Sequence, residues 1–213
     1  MVRVKICGMT RAEDAVLAVR LGVHALGFVF APSPRQVSPE AVREIVGGLS
    51  PLVQTVGVFV NEDPARIREI VSFCGLDLVQ LHGDESPADC EALMPRTVKA
   101  FRLKDEASLA AIEPYRGKVR AALFDAYAVE KRGGTGKTLD WDLAARGKEL
   151  EIPIILAGGL APGNVRRAIF TVSPFAVDVN SGVEERPGIK SPALMERLME
   201  IVKNLEPGGT AHE

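Results

Sequence analysis

Short apolar runs rich in β-branched residues punctuate the chain from end to end. They fall at residues 2–6, 25–30, 55–60, 76–80, 98–101, 121–124, 154–157 and 175–179, eight in all. Runs of this length, bounded by turn-forming residues, predict buried strands. The stretches between them carry helical spacing. Ala15, Ala18, Val19 and Gly22 recur at helical intervals, and Thr10 with Glu13 predicts a capping box in front of them. Ser38-Pro39, Asp63-Pro64, Ser86-Pro87 and Ser191-Pro192 each set an N-cap residue before a proline, which suits the first helical position because its missing N–H would be unpaired there anyway. Strand and helix therefore alternate at about 27 residues per unit over the 213 residues.

Such alternation implies βαβ units and a parallel sheet. An open doubly wound sheet and a closed barrel both satisfy it. The count of eight and the short, even spacing favour an α/β fold of the (β/α)8 TIM-barrel class, as a single domain. No change in composition divides the chain. Residues 1–205 are expected to form the barrel and the polar residues 206–213 a flexible C-terminal tail.

Charge narrows the partners. Lys and Arg number 26 against 28 Asp and Glu, a net charge of −2, which gives no electrostatic case for a general nucleic-acid or anionic-membrane binder. The apolar runs are far shorter than the ~20 residues of a membrane helix, and no secretory signal follows Met1. A cytoplasmic protein is expected. Cys7, Cys74 and Cys90 are far apart, and the histidines are only His24, His82 and His212. Neither a disulfide framework nor a metal site is supported, so the chemistry must rest on carboxylates, a thiol, Lys or Arg, and backbone amides.

In a parallel barrel, function sits at the C-terminal strand ends and the loops after them. Cys7 ends the first strand just before a helix, where a thiol pKa can be lowered toward thiolate; equally, Cys is a small buried hydrophobe. Asp125 ends the sixth strand, where partial desolvation would help a carboxyl hold a proton as a general acid; capping a loop is the plainer use. Gly158 and Gly159 follow the seventh strand and let backbone N–H groups approach an anion. Asn180, Ser181 and Gly182 form a second small-residue turn after the eighth, and barrels frequently hold phosphate between these two loops. Arg35 lies in a stiff proline-rich loop after the second strand and suits a substrate carboxylate, or is simply a surface Arg. Gly133 to Thr138 (GGTGKT) imitates a P-loop, but Lys131 stands where that pattern requires Gly. It reads as a Gly-rich loop able to cover a ligand, with Lys137 near an anion. His82 reads as a loop anchor, and Trp141 as packing for the following helix.

Strand parity adds one expectation. If Cys7 faces the barrel interior, so do Lys5 and Arg3, while Asp178 and Asn180 point inward from the neighbouring eighth strand. A buried Lys requires a partner, which predicts a Lys5–Asp178 ion pair beneath the site.

Several segments together resemble one family across nearly the full length: Val4 to Arg11 (VKICGMTR), Val58 to Asn61 (VFVN), Val79 to Gly83 (VQLHG), Gly133 to Thr138, Ala157 to Leu160 (AGGL) and Val177 to Glu184 (VDVNSGVE). The chain is similar to phosphoribosylanthranilate isomerases. The resemblance implies a (β/α)8 barrel of tryptophan biosynthesis. Its members convert N-(5-phosphoribosyl)anthranilate to 1-(2-carboxyphenylamino)-1-deoxyribulose 5-phosphate by an Amadori rearrangement. It implies Cys7 and Asp125 as the catalytic base and acid, Arg35 for the carboxylate, and Gly158, Gly159, Ser181 and Gly182 for the phosphate. The cationic intermediate is its own electron sink, so no cofactor is expected. The expected partner is a small phosphoribosyl substrate, the expected state a monomer or homodimer. Two alternatives compete. One is another phosphosugar isomerase or epimerase on the same barrel, above all the histidine-pathway Amadori isomerase, whose paired carboxylates Cys7 argues against. The other is a non-catalytic phosphometabolite-binding barrel, which would need neither Cys7 nor Asp125.

Overall fold

A computed structural model of the chain describes residues 2–126 and 141–205. Eight parallel strands close into a barrel in sequence order: β1 (Arg3–Ile6), β2 (Ala25–Val29), β3 (Gln54–Phe59), β4 (Leu78–Leu81), β5 (Thr97–Leu103), β6 (Ala121–Ala126), β7 (Ile154–Leu156) and β8 (Ala176–Val179). Helices α1 (Ala12–Arg20), α2 (Pro39–Gly47), α3 (Pro64–Cys74), α4 (Pro87–Ala92), α5 (Glu106–Ala110), α6 (Trp141–Arg146), α7 (Val165–Val172) and α8 (Pro192–Lys203) follow the strands in turn. All eight expected strands are present. Register closes the ring: Lys5 of β1 lies opposite Asp178 of β8.

Alternation along each strand creates two cores. The larger lies between the sheet and the helices and includes Ile6, Leu26, Phe28, Phe59, Leu81, Phe124 and Leu156, all essentially inaccessible. Deleting a ring such as that of Phe124 would remove about 3–5 kcal/mol. The smaller fills the barrel interior with Val98, Ala100, Ala121, Leu123, Ile155, Ala157 and Ala176. These are mostly small residues, and a cavity of about 410 Å3 lies toward the N-terminal end, lined by Arg3, Lys5, His24, Gln80 and Arg120 among others.

The proline-marked helix starts work as expected in three cases. Ser38 accepts from Ala41 N, Asp63 from Ala65 N, and Ser86 forms a capping box with Asp89. Ser191 precedes α8 without a side-chain cap. The first helix also departs from expectation. Its N-cap is Arg11 and carries no side-chain cap bond. Thr10 Oγ1 instead donates to Gly188 O, and Glu13 pairs with Arg11. Thr10 is drawn away by a short hairpin after β8, β9 (Glu184–Arg186) with β10 (Ile189–Lys190), which the apolar pattern does not reveal. Asp105 supplies an unanticipated capping box with Ser108 on α5. Residues 206–213 and the Gly133–Thr138 segment lie outside the described residues. Among the described residues no helix is long and apolar enough to cross a membrane, and no group of His, Cys, Asp and Glu is arranged to hold a metal.

Candidate active site

A pocket of about 350 Å3 opens at the C-terminal end of the barrel. Its walls bring together Cys7, Asp125, Gly158, Gly159, Asp178, Asn180 and Ser181 from four strand ends. Their arrival in one place follows from parity, because inward-facing positions on neighbouring strands stack in layers.

Cys7 sits just past β1 and is 6% exposed. Gly27 on β2 makes space for it: a Cβ there would stand 2.7 Å from Cys7 Sγ and 3.1 Å from Lys5 Nζ. Lys5 and Asp178 meet beneath the thiol, with Nζ 2.7 Å from Oδ2 and both side chains buried. Burial alone would pull the Lys5 ammonium down. Asp178, and then Cys7, outweigh it, and its pKa stands above the ordinary value. The second oxygen of Asp178, Oδ1, is buried in the pocket wall and has no hydrogen-bond partner among the described residues.

The thiol differs from the sequence expectation. Burial pushes the Cys7 pKa up, against the pull of Lys5 and the weaker pull of Lys190. The expected helix-terminus effect is missing for a geometric reason. Helix α1 begins at Ala12, several residues beyond Cys7, and a helix dipole acts only over its first turn. Two lysines, not a helix, are the groups that favour thiolate here.

Across the pocket, Asp125 lies within β6, one residue before its end, with about a third of its side chain exposed. His82 Nε2 is 3.3 Å from its Oδ2. His82 therefore lines the pocket and touches the candidate acid, a placement its reading as a loop anchor had not included. Gln80, one inward position earlier on β4, has its amide Nε2 3.0 Å from His82 Nδ1.

Arg35 is not held free above the mouth. Glu184 grips it, with Nε 2.8 Å from Oε1 and Nη2 2.6 Å from Oε2. Lys190 Nζ lies 2.9 Å from the same carboxylate and 3.0 Å from Asn180 Oδ1. Burial would raise the Glu184 pKa, but hydrogen bonds from Arg35 and Lys190 outweigh it and bring it to about 2. The Arg35 guanidinium is correspondingly raised by Glu184. Gly8 makes room for this cluster, since a Cβ there would meet Arg35 Cδ and Asn180 Oδ1, each at 2.7 Å. Neither Glu184 nor Lys190 was singled out as a site residue. Lys190 belongs to the hairpin that periodicity could not show, and nothing in its neighbourhood distinguishes it from a surface lysine.

The two glycine-bearing loops approach closely. Gly158 and Gly159 both have positive φ, 84° and 66°. Gly182 faces the backbone of Leu160, and any Cβ there would collide with the Leu160 carbonyl. Gly182 thus lets the loops after β7 and β8 touch, while Ser181 opens a single 3-10 turn, Ser181–Val183. Helix α7 starts only at Val165, where Asn164 donates from Nδ2 to Gly159 O and so braces the glycine turn.

Known proteins match this arrangement over almost all of its length. A family model described as N-(5'phosphoribosyl)anthranilate (PRA) isomerase covers residues 4–201. An N-(5'-phosphoribosyl)anthranilate isomerase of Geobacter sulfurreducens is 53% identical over 204 residues, 95% of this chain and 99% of that protein. The solved phosphoribosyl anthranilate isomerase of Thermotoga maritima superposes with a TM-score of 0.89 at 44% identity, over 96% of this chain and 100% of that one. A second solved structure, of a phosphoribosyl anthranilate isomerase in complex with reduced 1-(o-carboxyphenylamino)-1-deoxyribulose 5-phosphate, has a TM-score of 0.86 at 41% identity, with 96% of this chain and 100% of that one covered. By strand order, pocket and full-length similarity together, the chain belongs to the N-(5'-phosphoribosyl)anthranilate isomerase family.

Proposed function

We propose that the protein isomerises N-(5'-phosphoribosyl)anthranilate to 1-(o-carboxyphenylamino)-1-deoxyribulose 5-phosphate, the aminoaldose-to-aminoketose step of tryptophan biosynthesis. The observation that carries this reading is the pairing of Cys7 and Asp125 in one pocket with Gly158, Gly159 and Ser181 of the two glycine-bearing loops.

Asp125 gives a proton to the furanose ring oxygen, and the ring opens to a protonated Schiff base. The iminium withdraws electrons and acidifies the sugar C2 proton. Cys7, as thiolate, takes that proton, and the resulting enolamine tautomerises to the ketone. Burial opposes the thiolate, whereas Lys5, Lys190 and the positive charge of the Schiff base favour it as the intermediate forms. The base is thus strengthened at the stage that uses it. Asp178 Oδ1, buried without a partner among the described residues, suits a sugar hydroxyl. Backbone N–H groups of the Gly158-Gly159 and Ser181-Gly182 loops receive the phosphate. Glu184 takes Nε and Nη2 of Arg35, which leaves its Nη1 edge for the anthranilate carboxylate. Holding both anionic ends fixes the reacting carbons between acid and base.

Turnover of freshly prepared phosphoribosylanthranilate, followed by the loss of anthranilate-type fluorescence, tests the reading. Steady consumption is expected. A purified, folded protein that binds this compound without consuming it would support a non-catalytic binding barrel instead.

A further inference from the structure

The mechanism gives no role to Gln80, a polar side chain buried in the barrel. Gln80 is 2% exposed, and among the described residues its Oε1 has no hydrogen-bond partner. A Leu or Met would fill the barrel without stranding a polar atom, and burying an unpaired amide oxygen is unfavourable. What the amide supplies and an apolar chain cannot is the contact of Nε2 with His82 Nδ1 at 3.0 Å.

That contact has a chemical consequence. With Nε2 of the amide facing the ring, its N–H donates and His82 Nδ1 accepts, and a neutral imidazole in that arrangement carries its proton on Nε2. Nε2 is the nitrogen 3.3 Å from Asp125 Oδ2. The position of the ring is set separately by the segment that follows it. Gly83 N donates to Glu85 at 2.9 Å, Lys99 Nζ donates to Gly83 O at 2.8 Å, and Asn61 Oδ1 accepts from Asp84 N at 2.7 Å. The clamped loop fixes where the imidazole is; Gln80 fixes which nitrogen bears the hydrogen.

We propose that Gln80 is a positioning residue that holds His82 as the Nε2–H tautomer, so that the ring donates to Asp125 Oδ2 and leaves Oδ1 to deliver the proton to substrate. The inference rests on the reading of Asp125 as the acid. When the Oδ1 proton passes to the ring oxygen, the new carboxylate is already hydrogen-bonded at Oδ2, which stabilises the charge that the step creates. With the opposite tautomer, Nε2 would present a lone pair to that carboxylate and oppose the transfer.

The test combines 15N NMR of the imidazoles with steady-state kinetics. Among the three histidines, His82 is assigned by the signals lost in His82→Asn. His24 is an internal control, since its Nδ1 accepts from Val4 N at 3.1 Å and it should show Nε2–H in every variant. Wild-type His82 is expected to show Nε2–H. Gln80→Glu places an acceptor at Nδ1 and should move the hydrogen there, lowering kcat about tenfold or more while KM changes less than about threefold. Gln80→Met, which removes the donor without adding charge, should lower kcat in the same sense with KM unchanged. An Nδ1–H tautomer in the wild type overturns the proposal, whether or not the variants fold. So does Gln80→Glu or Gln80→Met with wild-type kcat. The NMR pattern is read without turnover, so a wild type that shows Nε2–H but consumes no phosphoribosylanthranilate counts against the proposed function and not against the tautomer assignment.

Discussion

The two sides of the pocket are built on opposite plans. On the Cys7 side the reactive atom is buried, and charge is packed around it: Lys5 on Asp178 below, and Lys190 on Glu184 behind Asn180. On the Asp125 side the carboxyl is partly open to solvent, and only the His82–Gln80 chain approaches it among the contacts described. The difference follows from what each group must do. A thiol becomes a base only if a cation offsets its burial. A carboxyl that delivers a proton to a bound sugar needs access, orientation and a hydrogen bond to the anion it leaves behind. One side is tuned by charge, the other by a directed hydrogen bond.

Substitutions on the two sides should therefore fail differently. Asp125→Asn removes the transferable proton and should lower kcat by about a thousandfold, with substrate affinity little changed and the melting temperature near wild type. Activity close to wild type would break the assignment of the acid. Lys5→Met strands the buried Asp178 carboxylate. It should cost about 3–5 kcal/mol of stability in chemical denaturation and also depress turnover, because the thiolate loses a cation. A variant with intact stability and activity would show that the ion pair supports neither. Arg35→Ala should mainly raise KM, by about tenfold, as expected for a lost charge-assisted hydrogen bond to the carboxylate; a fall in kcat alone would place Arg35 elsewhere in the reaction. The smallest effect concerns acid. Glu184 is held at about 2 against an ordinary 4.5. A carboxylate depressed in the folded state contributes fully above the unfolded value and loses that contribution as pH falls toward the folded one. The melting temperature should drop between pH 4.5 and 2 more steeply in the wild type than in Glu184→Gln, and equal slopes would contradict the coupling.

The contrast also marks what the sequence discloses. The eight strands were legible because an inward-and-outward-buried strand is a compact apolar run, and the Lys5–Asp178 contact because parity and barrel closure dictate neighbours. Cys7 and Asp125 stood out as reactive types at strand ends. The flanking chemistry was hidden for separate reasons. Lys190 and Glu184 lie on a hairpin whose two strands total five residues, too short and polar to show a period. The grip of Glu184 on Arg35 joins residues 149 positions apart through side chains alone. Gln80 lies in the fourth apolar run and carries no signal of its own; its amide meets His82 only through the fold. The thiolate expectation erred for a local reason: the helix after Cys7 starts at Ala12, one residue later than a Thr10 cap would set it, and either start leaves Cys7 outside the first turn, where burial governs the thiol.

The central claim is that a buried thiol on one side and a hydrogen-bonded carboxyl on the other divide the work of one rearrangement. Measuring both substrate binding and kcat for Cys7→Ser tests it most directly. Serine keeps the shape and a hydroxyl but is too weak an acid to form the anion. Binding within a few-fold of wild type is expected, with kcat lower by about a thousandfold. A Cys7→Ser protein turning over at close to the wild-type rate would contradict it.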